Sequence, residues 1–154
     1  MPIQITTKEY IKIQNQTVSN GTQTADTDLK LQLLQNAAYL IEGTIAVSLA
    51  GVLPIYTWTF TGPASPVSVI IKSELMVAGA TVLNLSNQTS YGTVNSSPSI
   101  TGGLAILKFS AVIANGPNTG NFAFNFAVGG TGTSVTNLSG SYMRSSYGVF
   151  VSEE

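Results

Sequence analysis

Apolar residues recur at every second position through most of this chain, the period of a β-strand with one buried face. The longest such stretch runs from Ala38 to Leu49. Tyr39, Ile41, Ile45, Val47 and Leu49 fall on one side of it, and Glu42, Thr44 and Ser48 on the other. Ile41, Ile45 and Val47 are β-branched and suit a pleated, packed surface. At about 3.3 Å per residue the stretch reaches roughly 40 Å, so a central strand is expected here, with Gly43 as the place for a kink.

Upstream, Ile3 and Ile5 form one short alternating piece and Ile11 and Ile13 another, with Tyr10 and Lys12 on the opposite side. The pattern fits either the first strand of the domain or an arm that adds a strand to a neighbour. Residues 15–28, NQTVSNGTQTADTD, are polar and carry an Asn20-Gly21 turn signal, which predicts an exposed loop or linker. The expected division is therefore an arm and linker over 1–28 and a single β-domain over 29–154. Leu29, Leu31 and Leu33 make a short strand before a turn at Gln35-Asn36. Tyr56, Trp58 and Phe60 share a face expected to be heavily packed, and Thr61 to Pro66 ends that strand because proline cannot donate to a ladder. Val67, Val69 and Ile71 begin the next strand, and apolar pieces continue around Gly79. Residues 84–103 are polar and turn-rich, the kind of long loop that carries function. Leu104 to Ala114 is a second long strand, and Phe122, Phe124, Phe126 and Val128 alternate after a turn at 115–118. A last strand is expected within 140–151. No stretch reads as a convincing helix, so the fold expected is all-β, a jelly-roll-like sandwich or barrel with an N-terminal extended arm.

Composition sharpens this. Hydrophobic residues make up 44% of the 154, enough for a real core, but charged residues only 8%, against about 25% in ordinary globular proteins. Six basic and seven acidic residues leave a net charge of −1. Without a basic patch, nucleic acid is not an expected partner. Charge near zero favours association, which points to a homo-oligomer or a member of a larger particle.

Histidine and cysteine are both absent, which removes Ser–His triads, thiol nucleophiles, disulfides and His-ligated zinc. Glu42 and Glu74 are the two carboxylates of the β-body and the one candidate pair for glycosidase-type work. They read better as residues on a solvated or interface face near Lys72, Lys108 or Arg144. Asp26-x-Asp28 is too sparse for a calcium loop, and Gly129-Gly130-Thr131-Gly132 lacks the ending of a phosphate loop and reads as a turn. Tyr56, Trp58 and Tyr91 could stack on a sugar, though such aromatics are more often core. Neither enzymatic activity nor a metal or cofactor is expected. MPIQITTKEY lacks the features of a signal peptide, and no apolar run reaches the ~18 residues of a membrane span. The Asn-x-Ser/Thr triplets at Asn15, Asn20, Asn84, Asn87, Asn95 and Asn137 read as by-products of composition.

Several pieces are familiar in their order: Tyr39-Leu40-Ile41-Glu42-Gly43, then Trp58-Thr59-Phe60-Thr61-Gly62-Pro63-Ala64, the Phe-rich strand from Phe122 to Val128, and Gly140-Ser141-Tyr142-Met143-Arg144. Together, over residues 28–150, they resemble a jelly-roll-like domain of tailed-phage virion proteins, both tail-associated proteins and small head decoration proteins. Such domains are similar to trimeric tumour-necrosis-factor-like folds. The resemblance implies a homotrimer on the outer capsid surface with the major capsid protein as partner, made in the host cytoplasm and located in the virion. Ile3, Ile5, Tyr10, Ile11 and Ile13 would form the arm. The alternative it implies is a tail-associated receptor- or glycan-binding module using Tyr91, Trp58, Tyr56 and the 84–103 loop.

Overall fold

The structure is a computed structural model that describes the backbone of residues 3–77 and 81–150 and the side chains of residues 5–77 and 85–148. Twelve strands and no helix are present among them: β1 (Ile3–Ile11), β2 (Gln16–Val18), β3 (Thr24–Leu33), β4 (Ala38–Ala50), β5 (Ile55–Thr61), β6 (Ser68–Val77), β7 (Thr81–Gln88), β8 (Asn95–Ser96), β9 (Gly103–Ala114), β10 (Gly120–Gly129), β11 (Ser134–Asn137) and β12 (Tyr142–Phe150). Gly79, around which the sequence placed apolar strand pieces, lies outside the described residues.

The pairing has a simple logic. β1, β3, β4 and β5 pair antiparallel with β12, β10, β9 and β8 in turn. The chain is thus one long ribbon folded back on itself, with its tip between β5 and β8. Rolling the ribbon up brings β12 beside β4 and β10 beside β5. Two sheets result, ordered β1-β12-β4-β9-β6-β7 and β3-β10-β5-β8. This is a jelly roll in its open, two-sheet form rather than a closed barrel. The β6–β7 hairpin is inserted at the ribbon's tip and lies on the far side of β9. β2 and β11 form a small ladder that continues onto β4.

β4 is central, as its length suggested, but Gly43 does not kink it. Gly43 pairs with Phe109 in an unbroken ladder. A Cβ at Gly43 would lie 2.2 Å from the Phe109 ring, which already occupies the space above the glycine. The core between the sheets follows the predicted faces: Ile41, Ile45, Leu107 and Ile113 from one sheet meet Leu31, Tyr56, Phe60, Phe122 and Phe126 from the other, all buried. Phe60 sits 4.8 Å from Phe109 and 5.7 Å from Phe122, centroid to centroid. The indole of Trp58 donates to the Ser73 hydroxyl on the opposite sheet at 3.1 Å.

Of the two readings open for the N-terminal segment, a first strand or an arm, the structure has the strand: it is edge strand β1, paired along its whole length with β12 of its own sheet, from Ile3↔Phe150 to Ile11↔Tyr142. The stretch expected as a linker holds β2 and the first half of β3. Its polar side chains are spent internally: Gln16 donates through Nε2 to the Ala25 carbonyl and accepts through Oε1 from the Thr27 amide. Those bonds, together with the burial of Val18 in the core, tie the segment to the body.

Candidate functional site: the outer face of the large sheet

The β1-β12-β4-β9-β6-β7 sheet turns one face to the core and the other outward. Strand pleating sends the even residues of β4, β6, β9 and β12 outward, and cross-strand register arranges them in rows. Leu40 lies opposite Val112, which lies opposite Ile70. In the next row Arg144 sits between Glu9 and Glu42, followed by Ser110 and Lys72. A mixed row of Ile11, Tyr142, Thr44, Lys108, Glu74 and Leu85 comes after it. Ala46, Ile106 and Met76 form another apolar row. Leu40, Ile70, Leu104, Ile106 and Val112 all count among the exposed large hydrophobics, Val112 at 54%. Exposed leucines scattered singly need no explanation, but aligned rows on one flat face do.

The face's charges are few and balanced. Arg144 donates to Glu42 at 2.9 Å, both about half exposed. That bond and its charge raise the Arg144 pKa further. On the other side, Lys72, Glu74, Lys108 and Leu85 rim a shallow open cleft of about 280 Å³. Glu42 and Glu74, the two carboxylates considered as a pair, stand on β4 and β6 with β9 between them and one row apart, roughly 12 Å apart at ordinary strand spacing and rise.

The arm residues divide. Ile5, Ile11 and Ile13 are exposed, at 71%, 59% and 75%; Ile5 and Ile11 extend the outward face at its β1 edge. Tyr10 points the other way, packs against the core, and lines a small groove with Tyr39 and Tyr147. The side chain of Ile3 lies outside the described residues.

The aromatics considered for sugar stacking do not form a platform. Tyr56 and Trp58 are fully buried and stack on each other at 5.3 Å. Tyr91 lays its ring over Gly62, where a Cβ would come within 2.2 Å, and meets Phe122 edge-on. Its partial burial pushes its pKa up to about 12. Of residues 84–103, the end of β7, β8 and Gly103 at the start of β9 join the ladders.

One constellation escaped the sequence reading. Lys12, Asp26 and Asn137 meet in the interior, each essentially without solvent exposure. Asp26 sits where the β3–β10 register slips, between Lys30↔Ala123 and Ala25↔Asn125. Such a bulge re-aims side chains. Among the described residues no group of acidic side chains is arranged to hold a metal ion, and no helix is long and apolar enough to cross a membrane.

Fold and face together define a jelly-roll protein with a broad, nearly neutral, partly apolar sheet surface. No family model matches the chain, and no curated protein sequence does. Among solved structures, a chain of infectious bursal disease virus, Gt strain, is similar at 8% identity. The match covers 96% of this chain and 38% of that one, with a TM-score of 0.23. A chain of the VP2 subviral particle of the same virus is similar at 9% identity over 94% and 37%, with a TM-score of 0.22. This chain spans well under half the length of those proteins, and at these scores the likeness carries no functional information.

Proposed function

We propose that the protein is a virion structural protein of a tailed phage, a decoration protein that binds the outer capsid surface as a homotrimer and acts by binding alone. The observation that carries this reading is the outward face of the large sheet, where apolar rows through Leu40–Val112–Ile70 and Ala46–Ile106–Met76 flank a charge-balanced strip. A free monomer with 8% charged residues and such a face risks precipitation. Burial between copies removes that risk, since each half-exposed aliphatic contributes about 1 kcal/mol when covered. The resemblance over residues 28–150 supplies the threefold symmetry and the capsid partner. A trimer then multiplies a weak capsid contact by avidity.

The test is solution mass by light scattering across a concentration series, followed by co-sedimentation with capsids. A mass of three chains that Val112→Asp reduces to one, with β-sheet circular dichroism retained, is expected. A wild-type protein that stays monomeric at every concentration would remove the reading. The alternative, a tail-associated glycan-binding module, loses support because Tyr56 and Trp58 are interior and Tyr91 is pinned on Gly62.

A further inference from the structure

Lys12 follows β1, Asp26 lies in the β3 bulge, and Asn137 ends β11. Asp26 Oδ1 accepts from Lys12 Nζ at 3.0 Å and from the amides of Asp28 and Leu29 at 3.0 and 3.1 Å. Its Oδ2 accepts from Asn137 Nδ2 at 2.8 Å. One carboxylate, fixed by two backbone amides, therefore holds a primary amine on one oxygen and a primary carboxamide on the other. The side chains of Lys12 and Asp26 are both 0% exposed, and so is Asn137. Asp28 approaches Lys12 more distantly, at 3.6 Å, and is partly exposed. Among the buried polar atoms without a hydrogen-bond partner are Asn137 Oδ1, within this cluster, and the Tyr56 hydroxyl, close enough to Asp26 to feel its charge.

Burying a lysine with an acid and an amide is an expensive way to stabilise a fold, since a well-packed apolar set would serve as well. The same three groups are, however, the complete set for an acyl transfer: a nucleophile, an acyl donor and a proton carrier hydrogen-bonded to both. The geometry points to an intramolecular isopeptide bond between Lys12 Nζ and Asn137 Cγ, formed by the protein on itself with Asp26 carrying the protons.

The chemistry balances without any other reactant. Asp26 takes a proton from the Lys12 ammonium through the 3.0 Å bond. The freed amine lone pair attacks Asn137 Cγ, and the carbonyl π electrons move to Oδ1. Asp26 returns its proton to Nδ2 and takes a second one from Nζ. The C–Nδ2 bond then breaks as the carbonyl re-forms, and ammonia leaves. The nitrogen that was Nζ keeps one hydrogen as a secondary amide, and Asp26 is left neutral. No oxidant is consumed. The bond would join residues on the N-terminal strand's exit and the last third of the chain, constraining the unfolded state as a disulfide does in a protein with no cysteine.

The test is intact mass of the purified full-length protein in denaturing solvent, after allowance for the initiating methionine, with tryptic mapping. Expected is a mass lower than the sequence by one ammonia, and one branched peptide joining Glu9–Lys30 to Phe109–Arg144, uncut at Lys12. Lys12→Met and Asn137→Ala should each restore the full mass. An unmodified wild-type mass overturns the proposal. So does loss of water with Lys12 joined to Asp26, or loss of ammonia mapped to a succinimide at Asn20-Gly21 without a branched peptide.

Discussion

Gly43 offers a sharp test of how the two sheets are packed. Glycine inside a strand ordinarily costs stability, and replacing it with alanine would gain about 0.5–1 kcal/mol where space allows. Here a Cβ would stand 2.2 and 2.5 Å from Cε1 and Cζ of Phe109 and 3.0 Å from the Tyr142 carbonyl oxygen. The ring must retreat by more than an ångström. It cannot do so freely, because Phe60 at 4.8 Å and Phe122 at 6.4 Å hold it. Overpacking of this kind costs about 1–3 kcal/mol, which at 2–4 °C per kcal/mol lowers the thermal midpoint by roughly 2–12 °C. Phe109→Leu alone leaves a void and costs about 1–3 kcal/mol in its own right. In the double variant Gly43→Ala/Phe109→Leu the new methyl occupies part of that void, so the costs should fall short of additive by about 1–2 kcal/mol. Urea unfolding followed by the fluorescence of the single Trp58, at one fixed protein concentration, reads all four corners of the cycle. Gly43→Ala as stable as wild type, or additivity within about 0.5 kcal/mol, would refute the packing argument.

Other expectations follow from single contacts. Ser73→Ala leaves the buried Trp58 N–H without its 3.1 Å acceptor and should cost about 1–3 kcal/mol, seen as a lower urea midpoint with unchanged slope. Gly62→Ala displaces the Tyr91 ring that covers it; limited proteolysis should then cut faster within 89–94 while the global unfolding midpoint moves little. Tyr91 has a pKa near 12 in the fold because burial disfavours its anion, against about 10 in the unfolded chain. The raised value means its contribution is fully present below pH ~10 and is lost as pH rises toward 12. Tyr91→Phe should therefore flatten part of the stability loss between those pH values, measured by urea midpoints at each pH. Glu42→Gln removes an exposed ion pair and should leave the midpoint unmoved, yet alter assembly if the outer face is the subunit interface.

The strands legible in the sequence were those whose own alternation matched their burial. β4, β5, β9 and β10 each present an apolar face that any partner sheet would accept, so Tyr39, Trp58, Leu107 and Phe124 could be placed inside before their partners were known. β2 and β11 were not legible, because Gln16, Thr17, Thr136 and Asn137 become strand residues through backbone pairing to each other and to β4. Their side chains give no period to detect. The outer face was half legible: the alternation of β4 sets Glu42, Thr44 and Ser48 on the side away from the core. Register alone puts Leu40, Val112 and Ile70 in one row, and register depends on which strands are neighbours.

The interior cluster shows the same limit in its strongest form. In the sequence Lys12 stands on the side opposite Ile11 and Ile13, and Asp26 falls in a polar stretch expected as a loop or linker, where charges usually stay in solvent. What overrides that default is topology. The rolled ribbon closes β1 against β12, with the Lys12 amide donating to Ser141 and its carbonyl accepting from Gly140. The Asn15 side chain accepts from the Ser139 amide close by. These ties leave the Lys12 side chain no route but inward, toward the bulge that presents Asp26. A one-residue change in the β1–β12 register would return Lys12 to solvent and dissolve the cluster, so the contact depends on the pairing of the two ends of the chain. No local pattern within residues 12–28 could have announced it.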